Sequence, residues 1–178
     1  TQALAAKGKV ILAAHMDMSK QLEKERDLPV AVEDGNAGAV EEFLVSDVDA
    51  NAIDDDGRTN MIIPAWRAIF AYSALLDVGV DINAADNLGR TAILATINSY
   101  RDIAHTLLCK AALVDVLGEG GLTPMIQTAW NSHEEIIAAL INGKADANIT
   151  DNNGFNALHR AGAKEVRIIA MLRAVGAR

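Results

Sequence analysis

Aromatic residues are scarce in this chain: Trp, Tyr and Phe together make up 4% of its 178 residues. Apolar residues still reach 51%, so Ala, Leu, Ile and Val must supply the core, which suits small, closely packed helices. A single cysteine, Cys109, excludes an internal disulfide framework and fits a reducing compartment. No apolar run approaches the roughly 20 residues that cross a bilayer, and Val10–Ala14 is too short for a secretory core. These absences predict a soluble, cytoplasmic protein without membrane contact. Catalytic and nucleotide-binding signatures are missing as well. The chain has no Gly-x-Gly-x-x-Gly, no phosphate-binding loop, no His-Glu-x-x-His and no Gly-x-Ser-x-Gly.

Positive charge is thin over most of the length. Residues 25–153 carry 7 basic and 21 acidic residues, a balance of −14 within a net charge of −8. The flanks compensate, at +2 for residues 1–24 and +4 for residues 154–178. An acidic middle repels phosphate backbones and argues against a nucleic-acid partner. A neutral or basic protein surface suits it better.

What the chain does have is a glycine that recurs at a near-constant step: Gly57, Gly89, Gly121 and Gly154, spaced 32, 32 and 33 residues. Thr59, Thr91 and Thr123 follow two residues after their glycines, and Asn156 takes that place in the last copy. Leu44, Leu76, Leu108 and Ile141 each precede the glycine by thirteen residues. Self-similarity at this period predicts a stacked array whose units bury their apolar faces only against their neighbours. Within a unit, the threonine is placed to cap a first helix. Ile93, Leu94, Ile97, Ile103, Leu107 and Leu108 then keep three-to-four spacing across two short helices.

These residues resemble the ankyrin repeat. Gly121-Leu122-Thr123-Pro124-Met125 and Asn156-Ala157-Leu158-His159-Arg160-Ala161 match the family's opening motif. Leu75-Leu76-Asp77-Val78-Gly79-Val80-Asp81-Ile82-Asn83 matches its closing motif, as do Leu140-Ile141 through Asp146-Ala147-Asn148 and the shorter Asp49-Ala50-Asn51. The resemblance implies an all-α solenoid of stacked helix-turn-helix units forming one domain over residues 1–178. Its divisions are a degenerate part-unit at 1–24, units at 25–56, 57–88, 89–120 and 121–153, and a C-terminal cap unit at 154–178.

The resemblance also implies a protein-binding concave surface, with no catalysis, no cofactor and no metal, on a monomer. Carried over position by position, the contact residues are Asp55, Asp56, Arg58, Trp66 and Arg67 in one unit and Asn87, Leu88, Arg90 and Asn98 in the next. Glu119, Leu122, Trp130 and Asn131 follow, and Asn152, Asn153 and Phe155 complete the set. Trp66 and Trp130 each lie seven residues after their unit's threonine, which makes both candidate anchors. His159 occupies the family's histidine position, where it braces the turn.

Several positions depart from the family. The turn between the two helices normally uses glycine, yet here it falls on Ser99, Ser132, Lys164 and a stretch around Arg67–Ile69, with Gly35 alone retained. Looser inter-helix turns are expected, because positive φ is costly away from glycine. Pro64 falls about five residues into a first helix, where it removes a hydrogen bond. Leu113-Val114-Asp115 replaces the Asp-x-Asn of the closing motif. Two alternatives to a binding module remain open: a structural scaffold or altered repeat protein without a specific partner, and an enzyme using Cys109 as a nucleophile. His105 and Cys109, four apart on one helix, have a spacing that could share a metal, but two ligands alone do not make a site.

Overall fold

The computed structural model describes residues 18–20, 23, 27–46, 48–62, 69–97, 100–163 and 165–178. Pro64, Trp66, Arg67, Asn98, Ser99 and Lys164 lie outside these, as does most of the N-terminal part-unit. Helix α1 covers residues 27–33. It is followed by α2 (Ala37–Val45), α3 (Ile69–Asp77), α4 (Ala92–Thr96) and α5 (Arg101–Cys109). A short 3-10 turn at Glu119–Gly121 precedes α6 (Pro124–Trp130), α7 (Glu134–Asn142), α8 (Ala157–Arg160) and α9 (Val166–Ala174). Extended pairing among the described residues is limited to two antiparallel bridges, Ile53–Thr59 and Ala85–Thr91. The fold is the all-α solenoid expected.

Two layers result. α2 packs on α3, α3 on α5, α5 on α7 and α7 on α9, so the second helices form one continuous row. The shorter α4, α6 and α8 pack on α5, α7 and α9, and α6 also meets α8. Between the layers, Leu75, Leu107, Leu140 and Leu172 are fully buried, one per unit. Full burial of such a side chain contributes about 1.5–3 kcal/mol. Tyr72, buried in the same core, donates its hydroxyl to the Met61 carbonyl at 2.9 Å, as a buried phenol requires.

Helix ends repeat as faithfully as the core. At the ends of α3, α5, α7 and α9 the chain turns through positive φ at Gly79 (81°), Ala111 (65°), Lys144 (63°) and Gly176 (90°). Each makes the paired closing bonds of a left-handed helix cap; for α7 these run from Lys144 N–H to Ile141 (2.9 Å) and from Ala145 N–H to Leu140 (3.0 Å). The same closure joins α6 to α7 through Ser132, at φ 61°, with His133 N–H bonded to Thr128 at 3.1 Å. This corrects the expected loosening at that position. The turn keeps its hydrogen bonds, and the missing glycine is absorbed as local backbone strain.

One further expectation changes, and one departure from the family is absorbed. Thr123 caps α6, accepting the Ile126 N–H at 3.2 Å, but Thr91 makes no side-chain cap bond to α4, and its buried hydroxyl has no partner among the described residues. Thr91 acts through its backbone instead, bridging Ala85 and accepting the Ala95 N–H at 3.0 Å. Asp115 does not break the unit-to-unit seam. Asn51, Asn83 and Asn148 accept the backbone N–H of Asp81, Leu113 and Arg178 from the following unit, and Asp115 accepts that of Asp146 at 3.0 Å in the same way. A carboxylate oxygen serves where an amide oxygen would, because the bond needs only an acceptor.

Candidate functional site

Three of the glycine turns are each organised by one carboxylate. Asp54 accepts the backbone N–H of Asp56 (3.0 Å) and of Arg58 (2.9 Å), and its other oxygen accepts Arg58 Nε–H at 2.8 Å. Asp86 repeats the arrangement with Leu88 (3.0 Å), Arg90 (2.8 Å) and Arg90 Nε–H (2.8 Å). Such side-chain turns need a short acceptor at the first position and a residue tolerant of positive φ later, supplied by Gly57 and Gly89 at 74°. Burial pushes the Asp86 carboxyl up, but the Arg90 side-chain and backbone hydrogen bonds outweigh it and hold the group below the ordinary carboxylate range. Asp54 is lowered in the same way, against a similar opposing effect of burial, by Arg58.

The last turn is wired differently. Asp151 accepts the N–H of Asn153 (2.9 Å) and Phe155 (3.0 Å), but its cation is Arg160 at the end of α8, which donates through both Nε and Nη2. That hydrogen bond is the main influence holding the Asp151 carboxyl below its usual range. Moving the arginine from the turn to the helix leaves the turn position to Phe155. The Arg160 guanidinium then lies 4.8 Å from the Trp130 ring centroid and 4.9 Å from that of Phe155. Both rings remain open to solvent, Trp130 at 58% and Phe155 at 44% exposure. A buried carboxylate thus fixes a cation between two exposed aromatic faces. His159 closes the arrangement from behind: its backbone N–H donates to Asn156 Oδ1 at 3.1 Å, and its ring stands 5.9 Å from that of Phe155.

The third turn lacks that organising carboxylate. Gly118 stands at the position of Asp54, Asp86 and Asp151, and Leu122 at that of Arg58 and Arg90. A depression of about 340 Å³ opens there, lined by Arg90, Leu94, Gly118, Glu119, Gly120, Leu122 and Gln127. The side-chain oxygen of Gln127 is buried beside it without a hydrogen-bond partner among the described residues.

The residues carried over from the family are therefore distributed as follows. Asp55, Asp56, Asn87, Leu88, Glu119, Asn152 and Asn153 are exposed at the turn tips, and Asn131 is exposed just after α6. Arg58 and Arg90 are half-buried and held by Asp54 and Asp86. Leu122 is half-buried at the depression. Trp130 and Phe155, 25 residues apart in sequence, are brought onto one cation. Trp66, Arg67 and Asn98 lie outside the described residues. Arg160, Gln127 and Leu94 were not among the expected contacts. A signal for Arg160 existed in the aromatic at 155, where the two earlier turns carry arginine.

On the row of second helices, Cys109 Sγ lies 3.6 Å from His105 Nδ1, both exposed, beside a depression of about 280 Å³. Among the described residues no group of three or more His, Cys, Asp or Glu side chains is placed to hold a metal, and no helix is long and apolar enough to cross a membrane.

Comparison with known proteins accords with this architecture. Residues 93–178 match the family model for ankyrin repeats in three copies. The chain is 37% identical over 95 residues to human neurogenic locus notch homolog protein 2, covering 52% of this chain and 4% of that protein. It is 30% identical over 145 residues to mouse neurogenic locus notch homolog protein 1, covering 79% of this chain and 5% of that protein. The Xenopus laevis neurogenic locus notch homolog protein 1 aligns at 30% identity over 135 residues, 74% of this chain and 5% of the relative. The chain thus spans about one-twentieth of the length of these relatives. With the glycine turns, the left-handed helix caps and the matched motifs agreeing, the chain belongs to the ankyrin repeat family.

Proposed function

We propose that the chain is a non-catalytic protein-interaction module that captures a partner protein on its concave face, anchored by Trp130, Arg160 and Phe155. The observation that carries this reading is the fixed cation between two exposed rings. Tryptophan and arginine are the residue types that dominate binding hot spots, and they do so when already held in their bound geometry. Arg160 is held by the buried Asp151, so it loses little further freedom on binding. Cation–π contact of this kind contributes roughly 0.5–2 kcal/mol, more as water is excluded. Around this anchor, the exposed tips at Asp55, Asp56, Asn87, Glu119, Asn152 and Asn153 supply adaptable polar contacts, and Leu88 an exposed apolar one.

The unit divisions 25–56, 57–88, 89–120, 121–153 and 154–178 form the scaffold of this reading, on a monomeric, cytoplasmic chain whose partner has a neutral or basic surface. Nucleic acid is disfavoured by the acidic balance of residues 25–153. The test is affinity capture with quantitative mass spectrometry, comparing the parent chain with Trp130→Ala and Phe155→Ala. Capture of the main partner should fall more than about tenfold in each variant, with the helical circular dichroism unchanged. Equal capture by all three chains would remove the anchor assignment.

A further inference from the structure

The turn tips are stitched together at two seams and open at the one between them. Asn87 N–H donates to the Asp56 carbonyl at 3.1 Å, and Asn152 N–H to the Gly120 carbonyl at 2.9 Å. Between the second turn (residues 86–91) and the third (118–123), no hydrogen bond is formed among the described residues. Close packing shows the same gap. A Cβ built on Gly57 or Gly121 would stand 2.6 Å from the neighbouring Asn87 or Asn152, whereas one on Gly89 would first meet the Leu117 carbonyl at 3.5 Å. The depression of about 340 Å³ lies at this open seam.

Its walls define what it can take. Leu94 and Leu122 give an apolar floor, and Gly118 lets Leu94 lie close: a Cβ at 118 would stand 2.9 Å from Leu94 Cδ1. Gln127 Oε1 is an acceptor awaiting a donor. Arg90 is neutralised by Asp86 at 2.7 Å, while Glu119 forms no ion pair among the described residues. The neighbouring tips add Asp55 and Asp56, and the arginine beside them, Arg58, is paired with Asp54 and Asp56. The open seam is therefore apolar at its floor, with the Glu119 carboxylate at its edge and the acidic tip of the first turn, Asp55 and Asp56, one turn further along.

We propose that this seam is a second binding site, which holds an extended, basic segment of a partner protein. One apolar side chain fills the depression, and an adjacent lysine or arginine pairs with Glu119 and draws the Gln127 amide, whose oxygen is buried without a partner among the described residues, round to accept from it. This rests on the protein-capture reading and adds the chemistry of the partner at a place the anchor does not occupy. A free tip lets the segment enter in extended form, and an acidic rim selects it by charge complementarity.

The experiment pans a displayed library of random short peptides against the full chain, then measures the enriched peptides by fluorescence anisotropy. Peptides carrying lysine or arginine next to an aliphatic residue should enrich. Their affinity should fall about tenfold or more in Glu119→Lys and in Gln127→Leu, and stay unchanged in Glu134→Gln, which alters only an ion pair on the second-helix row. Gly118→Asp should abolish binding by refilling the turn; because its Cβ presses on Leu94, the other two variants decide the outcome if it fails to fold. Failure to enrich any peptide, enrichment of acidic ones, or binding indifferent to both Glu119→Lys and Gln127→Leu would overturn the site. Peptides lost only in Trp130→Ala would overturn it too while leaving the aromatic anchor standing, so the two readings fail separately.

Discussion

Lys144 and Ala111 occupy a position where Gly79 and Gly176 show what the backbone wants. All four sit at positive φ beyond a second helix, and only two of them lack a Cβ penalty. Lys144→Gly is expected to stabilise the chain by about 0.5–1 kcal/mol, since the strain it relieves exceeds the added freedom of the unfolded glycine. A denaturant midpoint that moves down, with the m-value unchanged, would contradict this. Gly143, immediately before, has ordinary φ at −73°, so Gly143→Ala serves as the control that should not gain stability through the same route. Asp86 offers a second test at this scale. Its folded pKa lies below the unfolded value of about 3.9, so the unfolded chain takes up the proton first as pH falls. The stability contributed by Asp86 is therefore fully present above about pH 5 and is lost as pH drops through about 4 and below. Asp86→Asn should destabilise the chain by roughly 1–2 kcal/mol at neutral pH and flatten the acid limb of the stability curve. An acid limb as steep as that of the parent would assign the pH dependence to other carboxylates.

At the scale of elements, the loops that follow the second helices are joined from unit to unit by single polar side chains reaching one backbone N–H. Asp49, Asp81 and Asp146 also fold each seam loop by accepting the N–H two residues on, at 2.9 Å. Leu113 stands at the corresponding place and is 57% exposed, so it neither makes that bond nor buries its side chain well. Leu113→Asn is expected to raise stability by about 0.5–1 kcal/mol, by completing the loop without adding to the acidic charge. Thermal melting that is unchanged or earlier would show that Leu113 contributes contact that outweighs the missing hydrogen bond. The helix pairs themselves were legible in advance because a three-to-four spacing admits only one buried face per short helix. The closure at Ser132 was not, since whether a non-glycine residue accepts positive φ depends on how strongly the flanking helices α6 and α7 hold it there.

For the whole molecule, the main helix contacts among the described residues run from neighbour to neighbour: α3 meets α5, α5 meets α7 and α7 meets α9. Stability in such an array is a sum of unit and interface contributions rather than a single global quantity. Leu172→Ala in α9 should cost about 2–5 kcal/mol locally, from lost transfer energy and the cavity left behind. Hydrogen exchange should accelerate first over residues 154–178 and then over α6 and α7, with α4 and α5 affected last. Uniform acceleration across the chain would mean that it unfolds as one cooperative block. The same neighbour-only connectivity explains how one seam can open between turns without unfolding the rest.

The amino-acid sequence by itself determined the architecture. A repeat of 32 or 33 residues, with glycine, threonine and leucine at fixed places, leaves stacking as the way for each unit to bury its apolar stripe. It also placed the turn tips at the surface, because the short acidic residues there are the ones that fold tight turns. Tertiary structure alone decided which of those surface residues act together. Arg58, Arg90 and Arg160 are the same residue type, yet Arg58 and Arg90 are tied into their own turns while Arg160 is carried between Trp130 and Phe155 by Asp151. Likewise, glycine for aspartate at 118 reads in sequence as one lost hydrogen-bond acceptor. In three dimensions it becomes an open seam with a glutamine oxygen beside it that has no partner among the described residues. Periodicity reports what every unit shares; partners that reach across units depend on distances that only the packed stack sets.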